Sequence, residues 1–219
     1  MSMPSRNPET IAADSFAFIR QQLQVGKYAF DPPLAAVVER VIHSTADFEF
    51  AELTCASENA VMAGARALRT GCTVVTDVHM VRVGISARRL EELGGAVHCF
   101  VAEDEVRTRA MAANTTRSAM GLRMAAERGL LTGGIIAVGN APTALYEAVR
   151  LVEEGLRPAL IIGVPVGFVG TLESKTALMR LTNVPWIVTA GFKGGSTVAV
   201  AIVNALLRLA VDAPSAEID

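Results

Sequence analysis

One tryptophan, two tyrosines and a formal net charge of −2 leave this 219-residue chain short of the clustered cations and rings that nucleic-acid surfaces are built from. No long run of one sign occurs either, so an anionic ligand has to be met by local groups. The three cysteines, Cys55, Cys72 and Cys99, are odd in number and lack CxxC spacing. That argues against a disulfide framework and a zinc site, and they read as buried structural thiols in a reducing cytoplasm. Apolar residues make up 51% of the chain, yet no uninterrupted apolar stretch is long enough to cross a bilayer. The opening MSMPSRNPETIAAD shows no basic segment followed by an apolar run, and a cytoplasmic protein without a membrane partner is expected. No two histidines stand at ligand spacing with a carboxylate, which gives no support to a bound metal.

What is present fits one α/β domain over residues 1–219, large enough to bury a substantial core. Short runs rich in valine and isoleucine at 73–76, 96–101, 135–138, 160–163 and 186–189 read as buried parallel strands. Helix punctuation lies between them. Ser57 is a candidate cap for a helix ending at Gly71, Ser86 for one ending before Gly94, and Ser118 for one ending before Gly129. Pro142 suits the first turn of a helix that Gly155 closes. The alternation predicts a three-layer α/β/α domain with a mainly parallel, Rossmann-like sheet of about five strands and right-handed crossovers. Two helices at about 8–24 and 33–42 precede it and are expected to cover the sheet or a partner subunit. The last helix, 196–211, is apolar on nearly every face, so it is either deeply buried or part of an interface.

The glycine-rich turns do not match nucleotide-binding patterns. GFVGTLESKT carries Ser174 before Lys175 where a Walker loop needs glycine, and no strand is followed by GxGxxG. Small-residue turns do recur after three strands, at 139–142, 163–170 and 191–196. Such loops line one crevice at the carboxyl ends of parallel strands, where free N–H groups attract anions. Singly, each is as readily a tight turn and nothing more.

His43 follows the apolar stretch 34–42, and at a helix end it feels the negative end of the macrodipole, which favours an imidazolium able to donate a proton. Capping of the last carbonyls is an equally good reading. His79, just past the first strand, is placed to reach the same rim, whereas His98 alternates with apolar residues and reads as packed. Thr116, Arg117 and Ser118 gather hydroxyls, a guanidinium and N–H groups ahead of a helix, a cluster suited to a carboxylate or simply a capped helix with a solvated arginine. Lys175 carries the same ambiguity, and Ser15 on a helix face ordinarily meets only water.

The segments SFAFIR at 15–20, RVIHST at 40–45, GNAPTAL at 139–145, GVPVGFVGTLESK at 163–175 and GGS at 194–196 stand in an order that resembles the precorrin-8X methylmutase family, over residues 15–206. The resemblance implies a cofactor-free isomerase of corrin-ring synthesis. Such an enzyme moves a ring methyl of precorrin-8X, or of its cobalt-containing counterpart, from C11 to C12 to give hydrogenobyrinic or cobyrinic acid. It also implies a homodimer whose sites use both subunits, His43 as the catalytic histidine and Ser15 as a substrate contact. The other residues expected at the tetrapyrrole are Thr116, Arg117, Ser118, Asn140, Gly167, Lys175, Gly194, Gly195 and Ser196. Phe192 departs from the arginine of the family's GRxGGS pattern, so one carboxylate contact is missing or comes from elsewhere. The TADFEF wording at 45–50 is closer to relatives acting on the cobalt substrate. Two rivals remain: a non-catalytic tetrapyrrole carrier, against which His43 counts, and a nucleotide-dependent Rossmann enzyme, against which the broken glycine patterns count.

Overall fold

The computed structural model describes residues 7–212. All five expected strands form: β2 (Thr73–Thr76), β3 (Ala96–His98), β4 (Ile135–Val138), β5 (Leu160–Gly163) and β6 (Trp186–Thr189). They are preceded by a strand the periodicity did not show, β1 (Thr54–Ala56). Three residues are too few to display an alternation; β1 is specified by its antiparallel partner, with Cys55 opposite Val188. The sheet order is β1-β6-β5-β4-β2-β3, parallel apart from β1. β4 and β5 are buried at every position, as strands covered on both faces must be. β3 stops at His98 rather than at residue 101, because Phe100 turns into the core, where the Arg128 guanidinium lies 4.7 Å from its ring centre.

The five parallel strands follow the flavodoxin-like order, in which the direction of strand addition across the sheet reverses between β2 and β4. That switch point opens a crevice at the carboxyl ends of the two strands.

On one face of the sheet lie α4 (Ala60–Arg69), α5 (His79–Gly84), α6 (Ala87–Glu92) and α11 (Ser196–Asp212). On the other lie α7 (Asp104–Ala112), α8 (Arg117–Glu127), α9 (Pro142–Glu153) and α10 (Thr171–Met179). The N-terminal α2 (Pro32–Thr45) packs on α11 and α4, and α1 (Pro8–Val25) packs on α2. These two helices therefore cover another helix, forming a partial fourth layer, rather than the sheet itself. α3 (Phe50–Leu53) leads into β1.

α11 buries Val198, Ile202, Val203, Leu206 and Leu207, each contributing about 1.5–3 kcal/mol. Its apolar faces are thus consumed within the chain and supply no argument for a partner. Its one interior amide, Asn204, accepts from the Ser86 N–H at 2.9 Å and donates to the Gly84 carbonyl at 3.0 Å, clamping the α5–α6 joint.

Three helix boundaries differ from expectation. Ser57 is not a cap, since its hydroxyl accepts from the Trp186 N–H at 2.9 Å and α4 begins after Asn59 in the left-handed region. α8 is capped by Thr116, not Ser118: the Thr116 hydroxyl accepts from the Ala119 N–H at 3.2 Å. α2 runs on to Thr45 because the Ser44 and Thr45 hydroxyls both donate to the Val41 carbonyl at 2.9 Å, and Ala46 at φ 54° closes the helix. His43 therefore lies within the last turn of α2 rather than beyond it.

Candidate active site

Two places in the molecule gather chemistry. The first is a cleft of about 660 Å³ between α1, α2 and α11. Helical spacing puts Glu39, Arg40 and His43 on one face of α2, opposite Phe16 and Arg20 of α1 and Arg208 of α11. The His43 ring stacks on Phe16 with centroids 4.7 Å apart and planes 16° apart, and the side chain is exposed. Its ring nitrogens make no hydrogen bond to another described residue, so they remain open to a ligand. The Arg40 guanidinium carbon lies 4.6 Å from the centre of the same Phe16 ring. Arg20 pairs with Glu39 at 3.1 Å and Arg208 with Asp212 at 3.2 Å.

The second place is the rim where the glycine-rich turns meet. Asp77, directly after β2 and only 1% exposed, accepts N–H bonds from Gly139 (2.9 Å), Asn140 (2.8 Å) and Ala141 (2.7 Å). Burial pushes this carboxyl above the ordinary aspartate range, and the three N–H donors pull it back. The groups that would receive a phosphate at a flavodoxin-like switch point are thus already occupied by the chain's own carboxylate. The turns touch one another. A Cβ at Gly139 would come within 2.9 Å of Ser196 Cα, and one at Gly194 would strike the Val164 carbonyl and lie 2.8 Å from that of Pro165. Only glycine permits either approach.

Lys175, expected as a substrate contact, is instead turned inward. It is 1% exposed, and its Nζ donates to the carbonyls of Gly191 (2.8 Å) and Lys193 (2.7 Å). Burial lowers its ammonium to about 8. A lysine so committed and so little exposed holds the 191–193 turn in place. Lys193 in turn reaches Asp47 at 2.6 Å and Glu49 at 2.7 Å, bolting that turn to the segment after α2.

The remaining expected residues divide between the two places or lie outside both. Thr116 shares a 2.7 Å hydrogen bond with Thr143, which joins the start of α8 to the first turn of α9. Beside it Arg117 is exposed, with no ion pair among the described residues, and Ser118 is half-buried. Asn140 is exposed at the rim, and Gly167 (φ 144°) donates to the Phe192 carbonyl at 3.3 Å. Gly195 donates to the Val164 carbonyl at 2.8 Å and Ser196 opens α11. Ser15 does not line the cleft, and its hydroxyl donates back to the Ile11 carbonyl at 2.8 Å. His79 opens α5 beside the rim, and His98 is packed with its ring parallel to Phe100. The thiols are half-buried and free, and burial raises Cys72 to about 11.

Sequence reading missed Phe16, Arg40 and Asp77. The first two carried a usable signal, since Arg40 stands one turn before His43 and Phe16 lies in the same SFAFIR segment as Ser15. An aspartate ending a buried strand, in TVVTD, was the signal for Asp77.

Fold and site together define a doubly wound α/β protein whose switch crevice is filled by its own aspartate and whose open cleft carries a histidine among arginines. A sequence profile described as Precorrin-8X methylmutase matches residues 10–209. The cobalt-precorrin-8 methylmutase of Priestia megaterium is 44% identical over 93% of this chain and 88% of its own length. The precorrin-8X methylmutase of a Sinorhizobium species is 34% identical over 93% and 95% respectively. The crystal structure of the precorrin-8X methylmutase from Thermus thermophilus superimposes with a TM-score of 0.86 at 46% identity, covering 92% of this chain and 96% of that one. The chain belongs to the precorrin-8X methylmutase family, whose members are isomerases of cobalamin biosynthesis.

Proposed function

We propose that this protein moves the C11 methyl of precorrin-8X, or of cobalt-precorrin-8, to C12, giving hydrogenobyrinic or cobyrinic acid, with His43 as the donor to the macrocycle. Family membership supports the reaction; the observation that carries the residue assignment is the exposed imidazole of His43, which lines the cleft stacked on Phe16. The methyl–C11 bond breaks, the methyl–C12 bond forms and the ring double bonds redistribute, with no net change in electrons or protons. A hydrogen bond or proton from His43 to a pyrrole-derived nitrogen withdraws electron density and eases the shift, and the proton returns to His43 afterwards. Thr116, Arg117, Ser118, Asn140 and Ser196 offer polar side chains to the carboxylates of the substrate, and Gly167, Gly194 and Gly195 shape the rim on which the ring edge rests. Ser15 is a contact carried over from the family alone.

The active form is a cytoplasmic homodimer with sites shared between subunits. Support comes from the rim, where Phe168 and Val169 are 87% and 89% exposed and Phe168 leans on Phe192 at 5.6 Å. Apolar side chains so exposed in one loop are suited to burial against a second copy. No helix among the described residues is long and apolar enough to cross a membrane.

Single-turnover formation of the corrin chromophore tests the role of His43. His43→Ala should retain wild-type circular dichroism and lose about a hundredfold to ten-thousandfold in rate, the contribution of a positioned acid. A folded variant turning over at the wild-type rate would remove His43 from the mechanism.

A further inference from the structure

We propose that Arg40 is a carboxylate clamp that fixes the register of the tetrapyrrole over His43. The inference rests on the tetrapyrrole reading above and adds to it a binding residue for the acidic fringe of the substrate. Arg40 lines the cleft one helical turn before His43, on the same face of α2. The two other arginines of the cleft have counter-ions, Arg20 in Glu39 and Arg208 in Asp212. Arg40 forms no ion pair among the described residues: Glu39, its neighbour in the chain, is paired with Arg20 and reaches Arg40 only through its charge. No described acceptor meets any of its five N–H groups, and its one close contact is the Phe16 ring, which engages the charge and leaves those donors free.

Its surroundings disfavour a bare cation. Arg40 is half-buried, and burial first, then the positive charges of Arg208 and Arg89, loosen its hold on the proton, with the Glu39 charge opposing them only in part. A guanidinium kept partly out of water beside like charges, without an ion pair of its own, is stabilised when an anion enters. Its planar fork matches a carboxylate bidentately. With one peripheral carboxylate held there, the flat ring is confined to orientations that present a chosen edge to His43, so Arg40 contributes to affinity and to positioning.

Absorbance titration with hydrogenobyrinic acid and with its fully methyl-esterified form separates this role from a structural one. Wild type should bind the acid more tightly than the ester. Arg40→Met should weaken binding of the acid by about tenfold to a hundredfold, the worth of a charged hydrogen bond, and leave the ester unchanged. Arg40→Lys, which keeps the charge without the fork, should fall between. Equal losses for acid and ester would show that Arg40 only supports Phe16 and His43, and would overturn the clamp, as would an unchanged affinity of Arg40→Met for the acid. Wild type failing to bind the acid would overturn the tetrapyrrole reading and the clamp with it.

Discussion

The rim of the sheet and the helical cleft handle charge in opposite ways. At the rim, Asp77 and Lys175 are both buried, and neither forms an ion pair among the described residues. Backbone groups neutralise them instead, three N–H donors for Asp77 and two carbonyls for Lys175. In the cleft, Arg20 and Arg208 are more than half exposed and are met by carboxylate side chains. A charge held by backbone cannot be released without moving the chain, whereas an exposed side-chain pair in water is worth about 0–1 kcal/mol and exchanges partners readily. The buried charges of the rim are therefore scaffold, whereas the charged side chains of the cleft are able to trade an internal partner for a ligand.

The strongest way to break that contrast is to remove the acceptor at the rim. Asp77→Ala strands three N–H groups in or near the interior at about 1–3 kcal/mol each, so a loss of about 3 kcal/mol or more is expected in urea denaturation. A loss under about 1 kcal/mol would mean that the 139–142 turn holds without its aspartate.

Lys175 gives the next largest effect, and its sign is unusual for a stabilising group. Burial lowers its ammonium from 10.5 to about 8. Between those values the unfolded chain binds more protons than the native one, so the Lys175 contribution to stability rises with pH across that window, by at most about 3 kcal/mol. The difference in unfolding free energy between wild type and Lys175→Met, followed from about pH 7.5 to about pH 10, should grow by that amount. Parallel curves would show that the ammonium is not held out of water.

A smaller effect is expected where the rim meets α8. Thr116→Ala removes both the cap on Ala119 and the link to Thr143 and should cost about 1 kcal/mol by thermal unfolding. Smallest of all, Arg20→Met should change stability by less than about 1 kcal/mol, as exposed ion pairs do. A larger cost would place the cleft in the scaffold as well and erase the distinction.

Where sequence reading succeeded and where it stopped follows the same division. The five parallel strands were legible because a strand covered on both faces is a continuous apolar run. β1 was not, since its identity depends on β6, more than a hundred residues away in the chain. The end of α2 was misplaced because Ser44 and Thr45 read as the polar start of a loop, while in the structure their hydroxyls bond back to Val41 and lengthen the helix. Lys175, after a glycine turn, looks like a surface cation in any local window; only the arrival of Gly191 and Lys193 carbonyls makes its burial tolerable. The apolar helix 196–211 left burial and interface equally open until α2 was seen to cover it.

The sequence by itself determined which segments become strands and helices, where glycine must stand, and which family the chain resembles, because those properties reside in local periodicity, backbone sterics and short motifs. Which charges meet was decided only by the tertiary structure: Asp77 with the 139–141 amides, Lys175 with the 191–193 carbonyls, Arg40 left without an ion pair beside His43. The physical reason is range. Hydrophobic period and turn chemistry act over a few residues, whereas the pairing of a buried charge is set by whatever the packing of distant elements brings within about 3 Å of it.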